Sequence, residues 1–308
     1  MKKFVIVVSC SIALLIVSTG PAAETESPAT VAPGAELVEV HSDKSFFEGP
    51  TWDPKTERLY FTSFFTDDQG KPNQQILRLD SPGKVTLWMD RTEGVNGTYL
   101  SLTGRLLGAQ AYGHRIVDYG FGPDGPSDPK ALLSDDQLHQ PNDVCQTPSG
   151  DIYFTDPDFM NRKTSAVYRL AKGKATKVID DMPVPNGVIA SLNGKTLYVG
   201  DSHLKLWRAY PIREDGRVGA GRVFFNPDTE NVNSPDGMSI DARGNLYVSG
   251  RGGVWVASPT GRSLGLIEVP EFCSNVTFGG ADGKTLYLTC SNKVYSLKMQ
   301  VRGGQFRR

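Results

Sequence analysis

Six copies of one short pattern run through this chain, and they constrain its fold more than any other feature. Each copy has a leading polar residue, mostly Asn or Asp, then a short strand, a turn and a second strand. The leading residue precedes a Tyr or Leu of the second strand by 11 or 12 positions in every copy. Six copies in register indicate a repeat architecture. The leading residues are Glu48, Asn96, Asn142, Asn186, Asp236 and Asn275.

The spacing of the copies predicts the kind of repeat. Successive leading residues are 48, 46, 44, 50 and 39 positions apart, which leaves room for four short strands and their turns. We therefore predict an all-β fold, a six-bladed β-propeller. The sixth copy stops after its third strand, at 293–299, and an additional strand at 36–40 precedes the first copy. We expect this N-terminal strand to complete the last blade, because an open ring would expose unpaired sheet edges.

The N-terminus has the features of an export signal. Lys2 and Lys3 precede an apolar run over 4–17, and small residues follow it. The run is short for a bilayer span, and Pro21 at its exit argues against the alternative, an uncleaved membrane anchor. We predict a secreted or periplasmic protein with no stable membrane association after cleavage. The expected segments are a signal peptide over 1–23, a disordered tether over 24–35, the propeller over 36–300 and a C-terminal tail over 301–308.

Charge and cysteine content narrow the partners and the cross-links. The 33 Lys and Arg residues balance 34 Asp and Glu residues, which argues against nucleic acid as a partner. Three cysteines remain after the predicted cleavage, Cys145, Cys273 and Cys290. Export permits disulfides, so we expect a bond between Cys273 and Cys290, at the ends of neighbouring strands of the sixth blade. Cys145 is then predicted to be a buried free thiol.

The propeller brings the leading residues together. The first strand of each blade lines the central channel, so the residues before these strands should form a ring of oxygens at one channel mouth. Turn formation is the alternative for Asn96, Asn186 and Asp236, each of which precedes a glycine. Glu48 has no such advantage in turns. Two carboxylates and several amides favour a hard divalent cation, Ca²⁺ first, with Mg²⁺, Mn²⁺ and Zn²⁺ as alternatives.

The connections between second and third strands should reach the same mouth. Of the four histidines, only His114 and His203 lie on these connections, each as either a surface residue or a proton carrier. The sequence contains no phosphate-binding glycine loop and no nucleophile elbow. The polar residues expected at the mouth from these connections are Ser63, His114, Asp156, Asp201, His203 and Arg251.

At these residues the sequence resembles the gluconolactonase/regucalcin family, from about residue 47 to residue 299. The most specific segments are FFEGPTWD, QPNDVCQTPSGDIYFTDP, VPNGVIASLNGKTLYVGDS, SPDGMSIDARGNLYVS and NVTFGGADGKTLYLT. The resemblance implies a six-bladed propeller with one catalytic divalent metal in the channel. By motif, the metal ligands would be Glu48, Asn186 and Asp236, and Asn142 would contact the substrate or complete the coordination shell.

The resemblance also implies an activity. It predicts a metal-dependent hydrolase that opens a sugar-type lactone, with Asp236 either taking a proton from water or attacking directly. Together with the predicted signal peptide, this indicates an exported enzyme. Asn96 and His114 are expected to contact the substrate together with Asn142. The run at 153–157 is closer to bacterial gluconolactonases than to regucalcins. Regucalcins have an Arg where this chain has Gln140, so the particular lactone stays open. The alternatives are an organophosphate or other ester hydrolase at the same metal, and a non-catalytic, Ca²⁺-stabilised binding propeller.

Overall fold

The predicted β-propeller is confirmed by the computed structural model, which describes residues 28–227, 234–250 and 252–306. Six antiparallel sheets of four strands each follow one another along the chain. In blades 1 to 5 the four strands are consecutive and pair in chain order. The connection between the first two strands of a blade is therefore at one end of the sheet, and that between the second and third strands is at the other.

The strands have the following bounds. Blade 1 contains β2 Phe46–Asp53, β3 Arg58–Thr66, β4 Pro72–Ser81 and β5 Lys84–Met89. Blade 2 contains β6 Val95–Leu100, β7 Leu106–Gln110, β8 Arg115–Phe121 and β9 Pro126–Ser134. Blade 3 contains β10 Val144–Gln146, β11 Ile152–Asp156, β12 Ala166–Ala171 and β13 Lys174–Ile179. Blade 4 contains β14 Pro185–Ala190, β15 Thr196–Asp201, β16 Leu206–Pro211 and β17 Arg222–Phe225. Blade 5 contains β18 Met238–Ile240, β19 Leu246–Gly250, β20 Gly253–Ala257 and β21 Ser263–Glu268.

Blade 6 closes the ring with a strand from the other end of the chain. It contains β22 Cys273–Gly279, β23 Thr285–Cys290 and β24 Lys293–Lys298, and β1 Val38–Ser42 pairs with β24 as its outer strand. The closing strand begins two residues later than the sequence predicts, but it occupies the expected place. Both edges of β24 are thus paired, which removes the exposed edge that an open ring would have.

The hydrophobic core lies between neighbouring blades. Every residue of β11 and of β14 is buried, whereas the outer strand β9 is mostly exposed. Large aromatic side chains join adjacent sheets: the Trp52 and Tyr287 rings stack at 5.6 Å between blades 1 and 6. Tyr247 and Phe278 meet edge to face at 5.0 Å between blades 5 and 6. Such contacts hold the sheets at a fixed angle around the channel.

Both terminal segments pack more closely than the sequence predicts. Residues 28–35 belong to the predicted tether, yet Thr30 and Val31 are buried and Val31 pairs with Met299 in an isolated bridge. In the predicted tail, Gly303 pairs with Asp241, and the short 3₁₀ helix Gly304–Phe306 (η1) follows. The apolar residues in these segments pack against the cores of blades 5 and 6. The mostly polar composition of the segments does not predict this packing. The predicted signal peptide lies outside the described residues.

The predicted disulfide is wrong. Cys273 and Cys290 face each other across β22 and β23, but both are free, buried thiols. The Cys273 thiol instead donates to the Asn275 carbonyl oxygen at 3.7 Å. Burial, followed by the neighbouring Cys290 thiol, raises the pKa of Cys273 well above its usual value, which suppresses the thiolate needed for disulfide chemistry. Cys145 is a buried free thiol, as expected.

Within the described residues, no helix has the length and apolarity of a membrane span.

Candidate metal centre

The leading residues of all six blades lie at the same end of the channel. Strand pairing establishes this, because each leading residue is at or just before the start of an inner strand that runs towards the opposite end. Glu48, Asn142, Asn186 and Asn275 are buried, whereas Asn96 and Asp236 are partly exposed.

Glycines after the leading residues allow adjacent blades to approach closely. A Cβ on Gly187 would overlap the Asp236 carbonyl oxygen, and one on Gly237 would overlap the Asn275 side chain. Neither glycine has a positive φ. The Asn-Gly and Asp-Gly pairs at these positions are therefore required by backbone packing around the channel and not by turn formation, which removes the turn alternative for Asn186 and Asp236.

Glu48 lies at the junction of blades 1 and 6. Its Oε2 accepts hydrogen bonds from the Gly49 backbone N at 2.6 Å and from Nδ2 of Asn275 at 3.1 Å. Its carboxyl also hydrogen-bonds with that of Asp236 from blade 5. The two acidic residues of the ring, 188 positions apart in sequence, are thus in direct contact.

Two carboxyl groups can meet in this way only if they share a proton or a cation. Burial raises the pKa of Glu48, and the hydrogen bonds from Gly49 and Asn275 oppose this shift. Burial, then the negative charges of Glu48 and Asp143, raise the pKa of Asp236 well above its usual range. Burial and the neighbouring negative charges therefore favour the protonated form of Asp236, in which its carboxyl donates to Glu48.

Asn186 completes the group from blade 4. Its Nδ2 donates to Oγ of Ser202 at 3.1 Å, and its side chain also hydrogen-bonds with Asp236. Its Oδ1 is buried and has no hydrogen-bond partner. A buried amide oxygen without a donor is energetically unfavourable, by about 1–3 kcal/mol. The structure thus brings together Glu48, Asn186 and Asp236, the three ligands that the sequence resemblance implies.

These oxygens fit a hard divalent cation. Two carboxylates would supply negative charge, and the unpaired Asn186 oxygen would supply a neutral ligand. Among the described residues, no three His, Cys, Asp or Glu side chains form a metal-binding group. The available ligands are therefore carboxylate and amide oxygens. This set disfavours zinc, which typically binds nitrogen and sulfur ligands.

Asp143 is a third acidic group that the sequence analysis did not single out. It is buried beside the ring, where its carboxylate accepts from the Val144 backbone N at 3.0 Å. Burial first, and then the charge of Glu48, raise the pKa of Asp143 to about 8. Its position directly after Asn142 was the available signal, since an acidic residue takes the place that glycine has after four other leading residues.

The predicted substrate contacts lie around this group. Asn142 is connected to blade 2 through its carbonyl oxygen, which accepts from the Gly97 backbone N at 2.7 Å. The Asn96 carbonyl oxygen accepts from Oγ1 of Thr62 at 3.0 Å. Nδ1 of His114 contacts the Leu138 carbonyl oxygen at 2.7 Å, and since a carbonyl can only accept, Nδ1 carries the hydrogen. In the tautomer that carries its hydrogen on Nδ1, Nε2 is an acceptor.

The two acidic residues expected at the mouth from the connections, Asp156 and Asp201, hold the loops of the mouth in place. Asp156 is fully buried and accepts from the backbone N atoms of His139 and Gln140, just before Asn142. Asp201 is also fully buried and accepts from the backbone N atoms of His203 and Val184. Their carboxylates are therefore occupied by backbone donors. Arg251 lies outside the described residues.

Comparison with known proteins agrees with this architecture. The family model described as "SMP-30/Gluconolactonase/LRE-like region" matches residues 46–292. The gluconolactonase of Zymomonas mobilis is 26% identical over 303 residues, covering 86% of this chain and 81% of that protein. The pentonolactonase XacC of Haloferax volcanii is 26% identical over 249 residues, covering 79% of this chain and 80% of its own length.

A solved structure shows the same fold. The gluconolactonase XC5397 of Xanthomonas campestris superposes with a TM-score of 0.76 at 26% identity, covering 91% of this chain and 98% of that one. The likeness thus extends around the whole ring.

Proposed function

The chain belongs to the SMP-30/gluconolactonase/LRE-like family, and on this premise we propose that it is a divalent-metal-dependent hydrolase that opens a lactone. The observation that carries the proposal is the contact between two carboxyl groups beside the unpaired Oδ1 of Asn186. Similarity to gluconolactonase and pentonolactonase supports the reaction class.

Glu48, Asn186 and Asp236 are the proposed metal ligands, with Ca²⁺ as the first candidate. A bound divalent cation would polarise the lactone carbonyl and make water more acidic. Asp236 then either accepts the proton of the attacking water or attacks the carbonyl itself. Its partial exposure suits both roles, because the reacting atoms must reach it from the open mouth.

The remaining polar groups orient the substrate in this proposal. Asn142 lies at the edge of the ligand group, and Asn96 and His114 border the same mouth. Nε2 of His114 can accept a hydrogen bond from a substrate hydroxyl or from water. The partner is a small-molecule lactone, and the protein acts after export.

The test combines ligand variants with metal analysis. Glu48→Gln and Asp236→Asn each remove one negative charge, so we expect the Ca²⁺ Kd to rise at least about tenfold and kcat/KM to fall by about 100-fold or more. Asn142→Ala should keep most of the metal while raising KM or lowering kcat. Bound metal is measured by calorimetry and elemental analysis, and turnover on aldonolactones, aromatic lactones and phosphotriesters.

Asp241→Asn is the matched control. Asp241 is fully buried in the same blade as Asp236, but it lies beyond β18 at the opposite end of the channel. This variant should keep metal affinity and the activity of the folded fraction. Full lactonase activity in metal-stripped protein, or in Asp236→Asn, would contradict the proposed mechanism. Turnover of phosphotriesters alone would favour the ester-hydrolase alternative.

A further inference from the structure

Exposed apolar side chains are concentrated at the mouth that holds the candidate metal centre. In the part of the chain that the structure describes, nine large apolar side chains are exposed, and five of them lie at this end of their blades. One is Phe46, the first residue of β2. Four are on the connections between second and third strands. These are Tyr112 at 56% exposed, Phe159 at 41%, Met160 at 89% and Leu204 at 44%.

One of these side chains lies directly beside the ring of leading residues. The Tyr112 ring packs over Gly94, where an added Cβ would lie 2.7 Å from the ring carbon Cδ2. Gly94 is two residues before Asn96. The Tyr112 backbone N also donates to the Glu93 carbonyl oxygen at 3.1 Å, which fixes the connection against the start of the inner strand.

Contacts with neighbouring segments hold the connections of blades 2, 3 and 4 in place. In blade 2, His114 links the connection between β7 and β8 to Leu138, which lies on the segment that leads to Asn142. Nη1 of Arg162 lies 3.2 Å from Nδ1 of His203, which joins the connections that carry Met160 and Leu204. We call Tyr112, Phe159, Met160 and Leu204 the apolar rim.

We propose that the apolar rim binds a hydrophobic substituent of the lactone, so that the preferred substrates are alkyl- or aryl-substituted lactones and not polyhydroxylated sugar lactones. This inference rests on the proposed lactone hydrolysis and narrows its substrate class. Single exposed apolar residues are ordinary on protein surfaces, but a group of them next to a polar site marks a binding surface.

The chemistry of the rim separates the two substrate classes. A sugar lactone presents hydroxyls on most ring carbons, and an apolar surface returns no hydrogen bonds when it removes their water. An alkyl chain instead gains roughly fourfold in binding for each methylene buried, which corresponds to about 0.8 kcal/mol. A chain of five methylenes that buried only half of its surface would still gain more than about tenfold.

The experiment compares lactones that share one ring. δ-Hexalactone, δ-undecalactone and D-glucono-δ-lactone are assayed with the Ca²⁺-loaded full-length protein and with Tyr112→Ser, Met160→Ser and the double variant. We expect δ-undecalactone to have a kcat/KM at least about tenfold above δ-hexalactone, in line with the burial of its chain. The double variant should lose most of this ratio while the Ca²⁺ Kd and the rate on δ-hexalactone stay within about twofold.

Leu102→Ser is the matched control, since Leu102 is 62% exposed but lies beyond β6 at the opposite end of the channel. It should leave the ratio unchanged. Turnover of D-glucono-δ-lactone above that of δ-undecalactone, or a ratio unaffected by the double variant, would overturn this inference and leave the proposed hydrolysis standing. No turnover of any lactone would overturn both. Reduced binding of the double variant to phosphatidylcholine vesicles, with an unchanged ratio, would assign the rim to a lipid surface instead.

Discussion

At the scale of single residues, Asp143 shows how the channel affects an ordinary carboxyl group. Within the described part of the chain, Asp143 forms no salt bridge. Its carboxylate accepts hydrogen bonds from backbone N–H groups, and the negative charge of Glu48 lies nearby. Its pKa of about 8 lies far above the ordinary value of 3.8. The folded, metal-free protein therefore binds a proton that the unfolded chain has already released near pH 7.

This difference gives a prediction for stability against pH. Because the folded state binds more protons than the unfolded state between about pH 4 and pH 8, the free energy of unfolding should fall as pH rises through this range. The raised pKa values of Glu48 and Asp236 act in the same direction. In EDTA, we expect the Tm to fall by roughly 5 °C or more between about pH 5 and pH 8.

Circular dichroism melts at several pH values measure the slope. Asp143→Asn should flatten it, since the amide does not titrate, and saturating Ca²⁺ should flatten it as well, because the cation favours the ionised carboxyls. Glu57→Gln, at an exposed position, is a control that should leave the slope unchanged. A Tm that rises from pH 5 to pH 8 in EDTA would show that these carboxyls are ionised in the folded protein.

At the scale of elements, the two chain ends hold the ring together at separate places. β1 pairs with β24 along four residue pairs, and Val31 adds an isolated bridge to Met299. At the C-terminus, Phe306 packs against Gly283, and Nε2 of Gln305 donates to the Phe278 carbonyl oxygen at 2.7 Å. Blade 6 is therefore stabilised both by the closing strand and by segments outside the repeat.

A series of N-terminal truncations separates these contributions. A chain that begins at Ser45 lacks β1, so it exposes the edge of β24 and should aggregate or lose more than about 10 °C in Tm. A chain that begins at Glu36 keeps β1 but loses the contacts of residues 28–35, among them the Val31 bridge and the backbone hydrogen bond between Ala32 and Lys298, and should lose a few degrees. The chain that begins at Pro28 is the control. If the Ser45 chain remained monomeric and as stable as the control, strand closure would not be what holds the ring.

At the scale of the whole molecule, the N-terminal segment determines where the propeller would function. The predicted cleavage leaves a chain that begins near Glu24, just before the described segment that packs on blade 6. We expect mass spectrometry of the secreted or periplasmic fraction to show loss of about 22–24 residues. Lys2→Glu together with Lys3→Glu should reduce export, because the positive n-region is removed. An intact Met1 in the membrane fraction would instead support an uncleaved anchor.

The repeat, the number of blades, the closing strand and the positions of the leading residues all follow from the amino-acid sequence alone. These features are periodic or local: a turn and two short strands recur at a nearly constant distance from each leading residue. Topology then requires Glu48, Asn186 and Asp236 to share one channel mouth. The prediction of a disulfide was wrong. Strand register does bring Cys273 and Cys290 opposite each other, but register alone does not create a bond between two buried thiols.

The contacts between groups of different blades, in contrast, depend on the folded molecule. The contact of Glu48 with Asp236, the unpaired Oδ1 of Asn186 and the burial of Asp143 depend on the distance between sheets. That distance follows from aromatic packing and from the glycines that let neighbouring backbones approach. The attachment of both chain ends and the clustering of the apolar rim have the same origin. Each of these features joins residues that are far apart in sequence. No local sequence pattern specifies the distance between such residues, which is set by closure of the ring.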